Sequence, residues 1–598
     1  MSYRIEGKDI VIDGWELGIA DTPFIGTADI RSANILSLPG AVLANYKTVV
    51  MGLPPTVTAL AFTVDTTTNV FTVASTTNWY NGMAIELITV VTSTGISTGR
   101  VYWIGDLTAT TFKLYVNPTR NAGAVVDVTG ANGSGTLSSY TIGKPIDYAE
   151  YAGGTRDTGT GFSVYSFILD DNGRVWFPDT FTGTPTGNLI YLGNDTLTST
   201  GCRGIQVFKE YIIVFRSSTM DALDTNDLRQ SATVDLDGTG WIYGWESISS
   251  TIGPVRATLV GQDAIMYYDN NERVGSINEN IGSTFDPSSG ATYTENNAAL
   301  DLPENEKVTS LGELGTDLLV GTARNKIYPW DRISPSFRLP IEISEYNVWR
   351  ILASNGVAYI FAGSRGRIYR TTGTFAEEWK KIPDHLTGYT DPYFTWDAAT
   401  ISRNQLYFAF TPAQNDRTAI TGMGGVWAID LKSEALRHVH QLSYGATGVT
   451  SLLAPNPNSN DSTTATYQPA GSGLYMGWSN SSTYGVDQGS VNPYSGGETV
   501  ITTDIIPMGT YIFPTTPTQC EYKLARPLVA GESISIYQRT NLTASFTLWF
   551  TSNTTGILSE AADTTFENAE WVQLQAVITS TNTTPSRVPL RELRLRTP

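Results

Sequence analysis

Cysteine is nearly missing from this chain. Only Cys202 and Cys520 occur in 598 residues, far apart and in different expected modules, so no disulfide framework can staple the fold. That excludes a cystine-stapled secreted adhesin. Histidine is almost as scarce, with His385, His438 and His440 the full set. In ALRHVHQL the last two share a face of an expected strand, a geometry open to a metal site, but no third ligand can be named and an ordinary strand face accounts for them. His385, in IPDHLTG, falls in a loop. No run approaches the roughly 18 apolar residues of a membrane span. MSYRIEGKDI lacks the cationic and apolar regions of a secretory signal, so the expectation is a soluble product made in the cytoplasm. No Ser/His/Asp order, no Cys/His pair in shared context and no Gly-x4-Gly-Lys-Ser/Thr loop occurs, leaving nucleophilic and phosphoryl-transfer chemistry without a motif.

Basic charge is also in deficit. The chain carries 57 acids against 38 bases, a formal charge of −19, and no Lys/Arg block interrupts it. Gripping DNA or RNA requires a basic stripe, because phosphate neutralisation supplies most of the affinity. An acidic wall can instead repel a polyanion and let it slide, although solubility alone also explains the charge. Helical windows rich in Ala, Leu and Glu are nearly absent. Short helical turns are expected only at Phe375–Lys381 and Ala222–Arg229, and the acids Asp221, Asp224 and Asp227 read as a solvated helical turn.

What the chain has is glycine, threonine, serine and tyrosine, the material of short strands joined by tight turns. One phrase recurs loosely: apolar strand, Gly/Asn turn, apolar strand, turn, aromatic-bearing strand. It reads ILDDNGRVWF from Ile168, LGELGTDLLVGTARNKIYPW from Leu311 and ILASNGVAYIFAGSRGRIYR from Ile351. A period of roughly 40 to 52 residues with about four strands per copy is the signature of β-propeller blades. Copies beginning near 164, 204, 255, 308, 349, 398 and 449 predict six or seven blades.

The expected architecture is all-β, in four parts. Residues 1–53 form an N-terminal segment joining the propeller. Residues 54–140, with alternating strands and the glycine-rich VTGANGSGTL, form an inserted small β-domain that projects from a loop. The propeller spans 141–490 and ends where Gly, Ser and Pro crowd in SSTYGVDQGSVNPYSGGETV. A β-sandwich occupies 491–598. Its last strand carries Arg587, Arg591, Arg594 and Arg596, read as an edge strand protected by alternating charge in preference to a phosphate site.

Several constellations have spacings that bear on chemistry. Asp171, Asn172, Gly173 and Trp176 fit the spacing D-x-G-x-x-W of a sialidase-type Asp-box, in which Asp and Gly shape a turn and the aromatic packs below; the motif is architectural. A glycosidase needs two carboxylates flanking a sugar bond, and among 57 acids no pair stands out. Asp235, Asp237 and Gly238 make half a calcium loop without the closing Glu, which reads as a tight turn. Tyr475, Trp478, Tyr484 and Tyr494 could stack on sugars at a rim, but blade strands need large apolar side chains and the core claims them first. No catalytic, cofactor-binding or metal-binding residue is assigned.

Three stretches carry a resemblance. GIADTPFIGTADIRSANILSLPGAV (18–42) resembles the opening of tail nozzle or tail hub β-propeller proteins of tailed bacteriophages. The 54–140 module is similar to a small β-domain recurring in phage tail proteins, and GESISIYQRTNLTASFTLWF resembles their sandwich domains. The resemblance implies a non-enzymatic virion protein that assembles with itself into a ring, commonly of six, and with adjacent tail proteins such as an adaptor, fibre or tip. DNA would be passing cargo in an ejection conduit. Two other classes stay open: a receptor- or glycan-binding tail adhesin, and a polysaccharide-degrading propeller enzyme.

Overall fold

The structure is a computed structural model that describes most of Tyr3–Arg596. Left outside are chiefly 13–31, 119–124, 152–164, 179–186, 194–203, 225–245, 249–254, 382–392, 412–424, 442–447, 454–473, 508–516, 541–544, 564–570 and 581–588, with shorter gaps between strands. The protein is all-β: every regular element among the described residues is a strand. The helical turn expected at Phe375–Lys381 does not form. Ala376–Lys381 is an outer strand whose AEEWKK sequence charges a sheet edge, and Ala222 lies in the strand Met220–Asp224, with 225–229 outside the described residues.

From Pro145, among the described residues, the chain builds six four-stranded antiparallel units in succession and three strands of a seventh. The first strands are Pro145–Tyr151, Gly204–Phe208, Thr258–Val260, Val308–Leu314, Val348–Ser354, Tyr393–Ser402 and Gly448–Leu453. Each lies against the first strand of the next unit, and the seventh lies against the first, so the series closes on itself. Unit one begins at Pro145 and not near residue 164, which lies outside the described residues just before the unit's second strand, Tyr165–Asp170. Units six and seven are bridged into one eight-stranded sheet through the parallel pairing of Asp397 with Ser451.

Tight turns make this possible. In unit five the strands Val348–Ser354 and Val357–Ala362 are joined by Asn355 and Gly356, with φ of 51° and 77°. Positive φ at both central residues gives a turn whose twist matches the flanking strands, and Asn-Gly tolerates it best. Between units, side chains from facing sheets form successive apolar clusters. Tyr267, Val320, Tyr328 and Trp330 share one, and Ile327, Ile351, Ile360 and Tyr369 share the next. A single four-stranded sheet could bury only one such face, so each unit depends on both neighbours.

Unit seven contributes only three strands of its own. Its fourth is Tyr46–Val50, which pairs with Thr483–Pro493 at Val50 to Asp487 and Val49 to Gln488. The other described strands of the N-terminal segment go elsewhere, which corrects the expectation that 1–53 as a whole joins the repeated units. Asp9–Ile12 and Ala41–Ala44 pair with Pro589–Arg596, and Ser32–Ala33 pairs with Glu498–Thr502. These strands complete two sheets that share one apolar core, including Ile10, Ile12, Cys520, Tyr522, Ile534, Leu574 and Leu593. The strand bearing the arginines is therefore interior, flanked by Asp9–Ile12 and Gln519–Leu524, and not an edge. Its leucines fill the core, so both its edges must be paired to bury them.

Between Tyr46–Val50 and unit one, six strands from Leu60–Asp65 to Thr129–Ser139 close into a barrel. Phe62, Phe71, Ile85, Tyr102, Phe112 and Leu114 fill it. The barrel is seated on unit one, a contact the sequence reading of a projecting domain did not include. Trp103 Nε1 donates to Tyr191 O at 2.8 Å and Tyr80 OH donates to Leu189 O.

Candidate functional site

The residues singled out from sequence do not converge. Trp176 and Gly173 do form the expected turn in unit one, but the carboxylate that organises it is Asp170, not Asp171. Asp170 Oδ1 accepts from Asn172 N and Arg174 N at 3.0 and 2.8 Å, and Oδ2 accepts from Gly143 N and Trp176 Nε1 at 2.8 and 2.9 Å. Burial pushes its pKa up, and those donors pull it back. Gly173, at φ 77°, lets the chain reverse beneath it. Asp171 instead accepts from Lys144 N at 2.8 Å on the surface. The turn is fully hydrogen-bonded and its role is architectural.

Asp221 is buried in a strand and ion-paired with Arg216, not on a solvated helical face. Asp224 ends that strand; Asp227, Asp235, Asp237 and Gly238 lie outside the described residues. Tyr475 and Trp478 are core residues, the indole donating to Asp487 Oδ1 at 2.9 Å, while Tyr484 is half-buried and Tyr494 lies outside the described residues. His438 and His440 sit on Leu436–Gln441 opposite Trp427 and Val426, with a register shift between those pairs. His385, Cys202 and Arg587 lie outside the described residues. Cys520 is a buried thiol whose pKa is pushed up by burial. Arg594 Nε meets Glu592 Oε1 at 2.9 Å, and Lys523 Nζ meets the same oxygen at 3.1 Å. The only local basic cluster is thus interleaved with acids across neighbouring strands. Among the described residues no three His, Cys, Asp or Glu side chains gather as metal ligands, and no helix is long and apolar enough to cross a membrane.

The most organised polar group was not foreseen. Arg332, in the loop after Lys326–Trp330, reaches Asp263 Oδ2 in unit three at 3.2 Å and Glu313 Oε1 in its own unit. Glu313 also accepts from Gln262 N at 2.9 Å, and Tyr267 OH donates to Asp263 Oδ2 at 2.7 Å beneath the guanidinium. Burial opposes the charge on Arg332, but the bonds to Glu313 and Asp263 outweigh it and hold its pKa above the ordinary value. Burial, then the bond to Asp263, pushes the Tyr267 hydroxyl well up, so it remains a donor. The two carboxylates converge on a cation and not on open space. Arg370 pairs likewise with Glu377 in its own unit and with Glu434 in unit six, at 3.0 Å for the latter. Lys209 meets Glu279 across units two and three at 3.9 Å. The common geometry is a charged side chain tying one unit to the next. The sequence signal was weak: arginine beside a turn, with its partner some 20 to 70 residues away.

The second organised surface is the seat of the barrel. Leu189–Tyr191 is the outer strand of unit one, with one row of backbone groups unpaired in its own sheet. Leu189 N donates to Gly52 O at 2.9 Å; the carbonyls of Leu189 and Tyr191 take Tyr80 and Trp103. Gly193, at φ +85°, passes under the Trp103 ring, where a Cβ would lie 2.8 Å from Cζ2. An edge that could pair with a foreign strand is thereby capped.

No protein-family model matches the chain, and no curated protein matches it. Among solved structures, the computationally designed Ika8 protein is similar at 13% identity and a TM-score of 0.34, covering 70% of this chain and 98% of that one. YCF48 bound to a D1 peptide is similar at 8% identity and a TM-score of 0.37, covering 60% of this chain and 94% of that one. Likenesses this distant carry no conclusion about what this chain does.

Proposed function

We propose that the chain is a non-catalytic structural protein of a tailed-phage virion, a component of the tail nozzle or hub. In this reading the seven units are the blades of a seven-bladed β-propeller, the barrel is an inserted module and the two-sheet body is a C-terminal β-sandwich. Copies assemble into a ring, six on the resemblance of the sequence, and meet adjacent tail proteins. The acidic surface of a −19 chain faces DNA as passing cargo, repelling it from the wall of an ejection conduit.

The observation that supports this reading is where the charged side chains go. Lys209, Arg332, Arg370 and their acids tie unit two to three, three to four and five to six, which suits a stiff body that transmits load. Light scattering of the purified chain at low and high concentration, with negative-stain images, tests it. The expected result is a closed ring with an axial hole. A strict monomer that binds host polysaccharide would replace the reading with that of an adhesin.

A further inference from the structure

Neighbouring units are joined by short links from the fourth strand of one to the first strand of the next, residues 302–307 between units three and four and 343–347 between units four and five. The link across the seam that closes the cycle is different. Unit seven ends its sheet with Tyr46–Val50 and unit one begins with Pro145–Tyr151, so the whole barrel lies within that link. A slack link of such length would hold the two units together less well than a short one, because loop-closure entropy grows with length.

The link is stitched at both ends. Met51 N donates to Val486 O of unit seven at 2.9 Å. One residue on, Gly52 N donates to Gly187 O at 2.6 Å and Gly52 O accepts from Leu189 N of unit one at 2.9 Å. Two successive residues thus bond unit seven to the outer strand of unit one. Only glycine fits the second position, where a Cβ would lie 2.0 Å from Asn188 Oδ1. The barrel's entry and exit are laced to each other: Val57 N donates to Ser139 Oγ at 2.9 Å, Ser139 N to Val57 O at 3.0 Å and Ser139 Oγ to Pro55 O at 2.6 Å. The folded barrel therefore turns a long link into a short one.

The exit lands on unit one. Arg174 Nη1 donates to Thr141 O at 2.6 Å, and the rings of Tyr140 and Tyr191 lie 4.8 Å apart. With Trp103 on Tyr191 O and Tyr80 on Leu189 O, the barrel grips the same strand that Gly52 stitches. One apolar cluster runs through all the parties: Met51 from the link, Val101 and Trp103 from the barrel, Tyr191 from unit one, Tyr475 and Val486 from unit seven. Deeper in the seam the two units meet at Gly477, where a Cβ would lie 2.7 Å from Pro145 Cβ and 3.1 Å from Tyr148 OH. A glycine adds no side chain to that packing, so closure leans on the outer stitch and on the barrel.

We infer that the barrel is a clasp on the cycle of units: docked on Leu189–Tyr191, it holds closed the seam between units seven and one. It acts at this one seam, because its entry strand belongs to unit seven and its exit leads into unit one.

Hydrogen exchange of the full-length chain tests the clasp. Trp103→Ala with Tyr80→Phe releases the barrel from its seat, and Trp103 is not among the residues that fill the barrel itself. The amides of Gly52 and Leu189 are expected to exchange at least about tenfold faster, the effect of losing one typical hydrogen bond. The Asn347 amide, which bonds the link between units four and five to Ala323 O, is expected to keep its wild-type rate, as is Ile85 in the barrel. The milder Trp103→Phe with Tyr80→Phe is expected to give the same pattern at smaller amplitude. Gly52→Val, which breaks the stitch and leaves the barrel's own contacts in place, is expected to speed exchange at Leu189. If Gly52→Val opens the seam while both Trp103 variants leave Gly52 and Leu189 at wild-type rates, the stitch alone closes the cycle and the barrel is a passenger. If Asn347 accelerates as much as Leu189 in the Trp103 variants, the barrel has no special hold on this seam and the clasp is equally overturned.

Discussion

The barrel and the two-sheet body use the same materials, short alternating strands around an aliphatic and aromatic core, but they draw them from the chain in opposite ways. The barrel takes its six strands from one stretch, Leu60 to Ser139. The body sets Asp9 against Arg596 and Ser32 against Ile501. Loop closure must precede such long-range pairing, so the barrel can form while the body still waits for the chain's last strand. The same thread passes from the body through Tyr46–Val50 into unit seven, so the end-to-end pairing that completes the body also flanks the strand that completes the cycle of units.

The sharpest way to break this comparison is to delete residues 1–44. The body would lose Asp9–Ile12 from one side of Pro589–Arg596, the strand Ala41–Ala44, and the buried Ile10 and Ile12. Removing a buried Ile side chain costs about 2 to 5 kcal/mol, and two such losses plus an unpaired edge approach the roughly 5 to 15 kcal/mol that hold a domain together. Hydrogen exchange should show Ile534 and Leu574 unprotected, with Ile85 and Leu114 in the barrel unchanged. Retained protection in the body would mean that its N-terminal strands are ornament.

A smaller effect is expected where the barrel meets unit one. Trp103→Ala should cost about 3 to 5 kcal/mol through the emptied volume over Gly193 in the apolar cluster it shares with unit one, and Trp103→Phe about 1 to 2 kcal/mol through the lost bond to Tyr191 O. Thermal melting should show this loss at the seam, with barrel amides still protected. If the barrel itself unfolds, it is less self-sufficient than its contiguous chain implies.

The same contrast explains what could be read from the sequence. The barrel's strands and the unit turns announce themselves locally, as alternation and as pairs like Asn355-Gly356. The start of unit one was missed because Pro145–Tyr151 is separated from its partner strand by residues 152–164, breaking the phrase. Ala376–Lys381 has the composition of a helix, and pairing with Arg367–Thr371 overrides that propensity. Adjacent Asp170 and Asp171 differ only in which side of the strand end they face, which the motif spacing cannot tell. The destination of Asp9–Ile12 left no local trace, since nothing in DIVI names a partner almost 600 residues away. The tie from Arg332 to Asp263 was hidden for the same reason.

The smallest expected effect tests how local the barrel's stability is. Asp65, at the turn after its first strand, accepts from Thr67 N at 2.9 Å and from Thr68 Oγ1 at 3.0 Å, and these bonds lower its pKa from 3.8. A depressed carboxylate pKa contributes stability that is fully present above the unfolded value and is lost as pH falls through the folded one. The residue is half-buried at the barrel's surface and its bonds stay within the turn, so the consequence should be confined to that turn. Protection of the Thr67 amide should fall as pH drops below about 4, and Asp65→Asn should flatten that dependence. Amides at Phe71 and Ile85 should not respond, because they are held by ladder bonds and core packing that carry no titrating partner at this turn. If acid instead releases those amides together with Thr67, the turn is coupled to the whole barrel, and its closure depends on this one reversal of the chain as the body depends on its borrowed strands.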